Sequence, residues 1–385
     1  MRILILGGDG YLGWPTAMSL SAKGHEIGVV DNFMKRACEL EIGVEPLIPV
    51  QSLFRRIEVW RACTGHQIEA FIGDLMDYQF VRATLERFMP DAIVHYGEQP
   101  SAPYSMIDHH HAVKTQVNNI VGTLNVVFAM RDACPAAHLV KLGTMGEYGT
   151  PNIDIEEGFL EIEWKGRRDV LPFPKNPGSF YHLSKVHDSH NLIFAAKVWN
   201  LKVTDLNQGV VYGIETDETA IDSRLATSFH YDSIFGTVLN RFCLQAVLGI
   251  PLTVYGKGGQ TRGFLNLVDT LRCVELVIPS PPSPGTFRVF NQFAELFSVE
   301  DLAVIVQKVG AEMGVDVQIR NLENPRLESE YHYYRASNKG LLDLGFQPRL
   351  LSDVLLESMM GLIERHKGRA DLSRIMPQIQ WRPGG

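Results

Sequence analysis

The opening of the chain admits few folds. Met1-Arg2-Ile3-Leu4-Ile5-Leu6 is a mostly apolar run of strand length, as a strand buried on both faces requires. Gly7, Gly10 and Gly13 follow at once in the spacing G-x-x-G-x-x-G. An amphipathic stretch from Trp14 to Lys23 then reads as a helix closed by Gly24, and His25 to Asp31 as a second strand ending in an acid. Bare glycine backbone at such a turn lets a pyrophosphate approach the positive end of the first helix. Gly7, Gly10, Tyr11, Leu12 and Gly13 are the residues expected there. Asp31 would accept hydrogen bonds from an adenosine ribose and repel a 2′-phosphate, which predicts NAD over NADP. Asn32 and Arg36 lie just beyond it, and the arginine weighs against that preference.

The rest of the first half alternates in the same way, which predicts an α/β fold with a doubly wound parallel sheet of Rossmann type. Ile68 to Leu75 reads as the third strand, with Asp74 and Leu75 placed to hold an adenine edge. Ala92 to Gly97 reads as the fourth and Ala137 to Leu142 as the fifth. The segment from Phe33 to Thr64 is too long for a tight connection and is expected to hold a helix of its own, an insertion spanning about 33–66. The expected division is a cofactor domain over 1–212 and a smaller α/β substrate lobe over 213–385, with some segments returning to the first domain. Pro279 to Gly285 reads as an exposed loop.

A net charge of −8 leaves no cationic excess for nucleic acid, and no apolar segment approaches the roughly 20 residues that cross a bilayer. The first residues are already a strand, so no leader is expected, and a cytoplasmic chain follows. Cys38, Cys63, Cys134, Cys243 and Cys273 are odd in number and scattered, which suits reduced thiols and neither a disulfide framework nor a zinc site. His109-His110-His111 lacks the i, i+4 spacing of helical ligands, so no metal is expected; the run more simply opens a helix.

Tyr181 and Lys185 lie one helical turn apart. An ammonium beside a phenol favours the phenolate and makes the tyrosine a general base. On its own the pair is ordinary helix surface; beside a dinucleotide cradle it points to hydride transfer on an alcohol.

These residues together resemble the extended short-chain dehydrogenase/reductase family, whose members modify nucleotide-activated sugars. The resemblance covers essentially the whole chain. It implies a catalytic set of Thr144, Tyr181 and Lys185, with cofactor contacts also from Gln99, Asn118, Gln208 and Val211. Pro251 to Phe264 resembles the family's nucleotide-sugar segment, and Asn324-Pro325-Arg326 the second arginine of a diphosphate clamp. The substrate residues implied are Gln99, Ser101, Thr144, Met145, Tyr181, Gln208, Thr237, Asn240, Arg241, Thr253, Val254, Tyr255, Gln260, Arg262, Arg326 and His332. Long strings around Gly97-Glu98-Gln99, Ser101 to Asp108, Gly143 to Asp154 and Asp205 to Gly213 resemble the branch that joins sulfite to UDP-glucose at carbon 6. A homodimer is a further implication of the family.

Sugar 4,6-dehydratases of this family carry Asp-Glu after the strand-five threonine, whereas this chain has Met145 and Gly146. Another base must then take the carbon-5 proton, and His182 is the candidate, since imidazole titrates near neutrality. Glu147 could stand in for the missing acid, and Met145 could exclude water. Pro100 stands where the sulfite-using branch has an arginine, leaving the anion to His95, Gln99, Ser101, Gln208 or Arg241. The polar stretch from Glu156 to Pro177 could lie over the sugar or in solvent. Tyr331, Tyr333 and Tyr334 are expected to pack in the second lobe. An epimerase or ordinary dehydratase would use the same Tyr181 and Lys185. A non-catalytic NAD sensor or a structural oligomer partner would need neither them nor the arginines.

Overall fold

The computed structural model describes residues 1–326, 328–377 and 379–381. Its centre is a sheet of seven parallel strands. Five come first in the chain: β1 (Arg2–Leu6), β2 (Glu26–Asp31), β3 (Ile68–Ile72), β4 (Ala92–His95) and β5 (His138–Thr144). Lys202–Gln208 pairs beside β5 and Phe287–Gln292 pairs beside that, so the spatial order runs 287–292, 202–208, β5, β4, β1, β2, β3. β1 lies between β2 and β4, with Ile5 opposite Val29 and Val94.

Continuous apolar strands are needed because helices cover both faces. On one face Ile3, Ile5, Val29, Val94 and Val140 pack against Trp14, Ala17 and Met18 of α1 (Gly13–Ala22). On the other, Leu4, Leu6, Ile93 and Leu139 meet three further helices: α4 (Tyr78–Phe88), α5 (His109–Ala133) and α6 (Phe180–Trp199). The insertion holds two helices rather than one, α2 (Met34–Ile42) and α3 (Leu53–Thr64), each ended by a left-handed glycine, Gly43 and Gly65.

At the first turn the glycines have separate tasks. Gly7 has φ +85°, and a Cβ at Gly13 would overlap the Gly7 carbonyl. Asp9, between the first two, ties the insertion down. It accepts from Arg36 Nε at 2.5 Å and from Arg56 Nη2 at 2.5 Å, and Arg56 is fully buried against the Trp14 ring.

A second core gathers the helices Val238–Val247, Val299–Glu312 and Asp353–His366. Small sheets edge it: Leu252–Tyr255 with Ile319–Leu322, and Val210–Tyr212 with Thr261–Asn266 and Glu295–Ser298. Residues 159–172 form an antiparallel hairpin, Phe159–Trp164 with Arg167–Pro172, whose outer strand is exposed. In the tyrosine run only Tyr334 is buried; Tyr331 and Tyr333 face solvent, because the polypeptide there is irregular and turns just one of the three inward.

Asp9→Asn should leave the Arg56 guanidinium buried without a counter-charge, at a cost of about 3 kcal/mol. Calorimetry should then show the unfolding midpoint lowered by roughly 5 °C or more. An unchanged midpoint would remove Asp9 from this role.

Candidate functional site

A cavity of about 770 Å³ opens along the carboxyl ends of the parallel strands. At one end it is walled by Gly7, Gly10, Tyr11, Leu12, Gly13, Asp31, Asn32, Arg36, Asp74, Leu75 and Asn118. A Cβ at Gly10 would meet the protein only at ordinary contact distance, 3.4 Å from the Gly7 carbonyl, so its bareness serves the cavity and not the packing. The Asp31 carboxylate is held by two backbone N–H donors, from Asp9 at 2.8 Å and Phe33 at 2.7 Å. Asn32 donates to Asp74 Oδ2 at 3.0 Å. Arg36 is bound to Asp9 and to the Gln51 carbonyl, so its charge is spent on the insertion rather than kept for a 2′-phosphate. The arrangement fits a dinucleotide: exposed glycine backbone at a helix amino terminus and a fixed carboxylate at the end of β2.

The middle of the cavity is where β5 meets α6. Thr144 closes β5, its hydroxyl accepts from Gly146 N at 3.1 Å, and it lines the cavity together with Tyr181. Ser179 caps α6 by accepting from His182 N, and its hydroxyl also lies 3.0 Å from His182 Nδ1, so the cap orients the imidazole. The ring of His182 fills the space that a side chain at Gly146 would need. Burial, then Arg326 and Arg262, hold His182 down to about 3, so the imidazole is neutral. Lys185 does not reach the cavity; its Nζ donates to the Leu142 carbonyl at 2.7 Å and stands 2.6 Å from Glu98 Oε2. The Tyr181 phenol is pushed up by burial and then by Glu98, against the expectation that Lys185 would favour the phenolate. The reason is that Glu98, 2.6 Å from the Lys185 ammonium, offsets that positive charge with a negative one near the phenol.

The far end holds Gln208, Val211, Thr237, Asn240, Arg241, Tyr255, Gln260, Arg262 and Arg326. Arg241 donates to Tyr255 Oη at 2.7 Å and to the Thr253 carbonyl at 2.9 Å. Arg262 is paired with Glu328 at 2.6 Å. Thr237 Oγ1, Arg241 Nε and Gln260 Oε1 are buried there without a hydrogen-bond partner, as atoms awaiting a polar ligand would be.

A profile of the NAD dependent epimerase/dehydratase family matches residues 3–291. The chain belongs to that family. It is 53% identical over 384 residues to the chloroplastic UDP-sulfoquinovose synthase of Spinacia oleracea, covering 100% of this chain and 80% of that one. It is 45% identical to the UDP-sulfoquinovose synthase of Sulfolobus acidocaldarius, over 99% and 98% of the two chains. Among solved structures, the UDP-glucose 4-epimerase of Thermus thermophilus with NAD matches with a TM-score of 0.66 and 20% identity, over 94% of this chain and 99% of its own. The Bacillus cereus UDP-glucuronic acid 4-epimerase, in complex with UDP-glucuronic acid and NAD, gives 0.70 and 17%, over 95% and 99%. At those identities the likeness concerns the fold alone.

Several residues expected at the site of this epimerase/dehydratase chain lie elsewhere. Glu147 is fully buried, paired with Lys175 and bonded to Ser189, and does not line the cavity, so it has no route to a leaving hydroxyl. Met145 packs with Tyr148 and Phe173 behind the wall. Gln99 turns inward to Thr115 and the Ser101 carbonyl because its amide completes the β4–α5 turn. Thr253 is held by Gln245 and Val254 lies in the second core, so strand 252–255 presents only Tyr255 to the cavity. His332 contacts Arg262 from behind. Of the proposed anion ligands, His95 is buried on Thr123, while Ser101, Gln208 and Arg241 line the cavity, the Ser101 hydroxyl donating to the Ile234 carbonyl. Hairpin 159–172 lies outside the cavity wall, since its alternating charged residues favour solvent. Asp108 caps α5 and binds His111 at 2.7 Å, which accounts for one member of the histidine run. Glu98, Lys35, Glu39 and His230 reach the cavity and were not anticipated. For Glu98 the available signal was an acid directly after an otherwise apolar strand.

Gly146→Ala should drive the His182 ring from its place. Turnover should fall by about 10²-fold or more, while NAD binding, read by fluorescence titration, stays as in the wild type. Retained turnover would mean that His182 is not held where it acts.

Proposed function

We propose that this chain makes UDP-6-sulfoquinovose from UDP-glucose and sulfite, with water as the other product. The observation that carries the reading is the exchange at positions 146 and 182, in a chain so close along its whole length to two synthases of that name. An ordinary dehydratase keeps its base after strand five; here glycine vacates that place and an oriented, neutral imidazole fills it.

Thr144 and Tyr181 hold the sugar's 4-hydroxyl, and Tyr181 takes its proton. Held by the glycine turn and Asp31, NAD would supply the hydride acceptor for carbon 4 and the donor that restores it. A carbonyl at carbon 4 acidifies the carbon-5 proton, which His182 removes and hands to the hydroxide leaving carbon 6, so that water departs. Sulfite then adds to carbon 6 of the 4-keto-5-ene sugar through its sulfur lone pair, and carbon 5 takes up a proton drawn from solvent through His182. Tyr181 returns its proton as carbon 4 is reduced. Arg262 and Arg326 bind the diphosphate. Because the same two cations depress His182, a diphosphate between them makes the imidazole a stronger base when substrate is bound. Ser101, Gln208 and Arg241 are the wall residues available to face sulfite in place of the arginine replaced by Pro100.

The reading includes a homodimer. Val113, Val117 and Phe128 on α5, with Phe194 and Val198 on α6, expose one adjoining apolar face. Phe194→Glu should convert a dimer to a monomer in sedimentation velocity; a wild-type monomer would contradict the proposal.

Mass spectrometry of the holoenzyme incubated with UDP-glucose, with and without sulfite, tests the activity. A UDP-sulfohexose formed only with sulfite is expected. UDP-galactose or a 4-keto-6-deoxy sugar, unchanged by sulfite, would replace this reading with an epimerase or a dehydratase. His182→Asn should lower sulfonation by about 10²-fold or more yet still form NADH with UDP-glucose.

A further inference from the structure

Beneath Tyr181 lies a cluster of charges that the cycle above does not use. Glu98 follows β4, has a side chain only 2% exposed, and is the one acid of the cluster that also touches the cavity. Its Oε2 stands 2.6 Å from Lys185 Nζ, and its Oε1 is 3.8 Å from both Lys141 Nζ and His95 Nε2. Lys141 is in turn 3.5 Å from Asp188 Oδ2, and all five of these side chains are buried. An ammonium has three N–H donors. One from Lys185 goes to the Leu142 carbonyl and one faces Glu98, so two of the three are fixed by β5 and Glu98.

We propose that Glu98 is a positioning residue for the hydride-transfer step, fixing the Lys185 ammonium at the end of β5 and setting the pH above which Tyr181 acts as a base. The inference rests on the C4 oxidation of the proposed cycle. A carboxylate is the right group for both tasks. It binds the ammonium in a buried site, and its negative charge opposes formation of a second anion on the phenol nearby. The charged and titratable groups around it come from every neighbouring element: His95 from β4, Lys141 from β5, Glu147 from the turn after it, Lys185 and Asp188 from α6, and Asp205 from strand 202–208, which faces Lys141. Burial holds His95 neutral, and burial followed by Glu98 pushes the Asp188 carboxyl well up, which weakens its hold on the Lys185 ammonium beside that of Glu98. Glu98 is held down to about 2 by Lys141 and Lys185 in spite of its burial, and remains the carboxylate.

The test is the rate of NADH formation when the holoenzyme meets UDP-glucose without sulfite, followed across pH. The rate should rise with pH as Tyr181 loses its proton. In Glu98→Gln the loss of one buried negative charge should move that rise to lower pH by about one unit. Glu98→Asp keeps the charge and should restore the wild-type position of the rise, with a slower rate because the shorter arm holds Lys185 less well. A rate lowered at every pH with the rise unmoved would overturn the proposal and leave Glu98 a structural residue. Should Glu98→Gln fail to fold, Lys141→Met carries the test in the opposite sense, since loss of a cation must move the rise to higher pH; no movement overturns the proposal. A wild type that forms no NADH would overturn the C4 oxidation itself, a result distinct from an unmoved rise.

Discussion

Every functional residue of this chain depends on seven strands running in one direction. Parallel strands place all their carboxyl ends along one edge, and the loops that leave them have only that edge on which to meet. β1 delivers the glycine turn, β2 Asp31, β4 Glu98, β5 Thr144 and strand 202–208 Gln208. Helices on both faces force the strands to be apolar throughout, so polar side chains are concentrated where the strands stop. The cavity is the consequence of that concentration, and the second lobe closes over it with Arg241, Arg262 and Arg326.

The chemistry of the site turns on which groups are charged before substrate arrives. His182 is neutral through burial and two arginines, and Tyr181 stays protonated through burial and Glu98. Neither is primed in the free chain. In the proposed cycle a diphosphate between Arg262 and Arg326 supplies the charge that makes His182 a stronger base, which would tie base strength to occupancy. The glycine at 146 belongs to the same logic. A carboxylate there would add a second negative charge close to the phenol; in the proposed cycle the imidazole that fills its space would remove a proton without one.

Local features were readable before the structure, and features that join distant segments were not. The glycine turn, α1, the end of β2 and the Tyr181–Lys185 turn each sit within a few residues of one another, and their spacing carries their geometry. Glu147 was misjudged because its partner, Lys175, arrives from the far side of a hairpin and locks the carboxylate inward. Gln99 was misjudged because the fold needs its amide to finish a turn against Thr115 on α5. Glu98 was overlooked for the same cause: Lys185 and Lys141, which give it meaning, stand on two later elements. The insertion's two helices are held by Arg36 and Arg56 returning to Asp9, a pairing that periodicity cannot show.

The most direct test of the cycle follows two labels at once. UDP-glucose deuterated at carbons 4 and 5 is turned over with sulfite by the holoenzyme, and the product is read by NMR. Return of the same hydride through bound NAD, with His182 exchanging the carbon-5 proton with solvent, requires a UDP-sulfohexose that keeps deuterium at carbon 4 and has lost it at carbon 5. Deuterium kept at both carbons would contradict the elimination, and deuterium lost from carbon 4 would contradict the closed redox cycle on which the account rests.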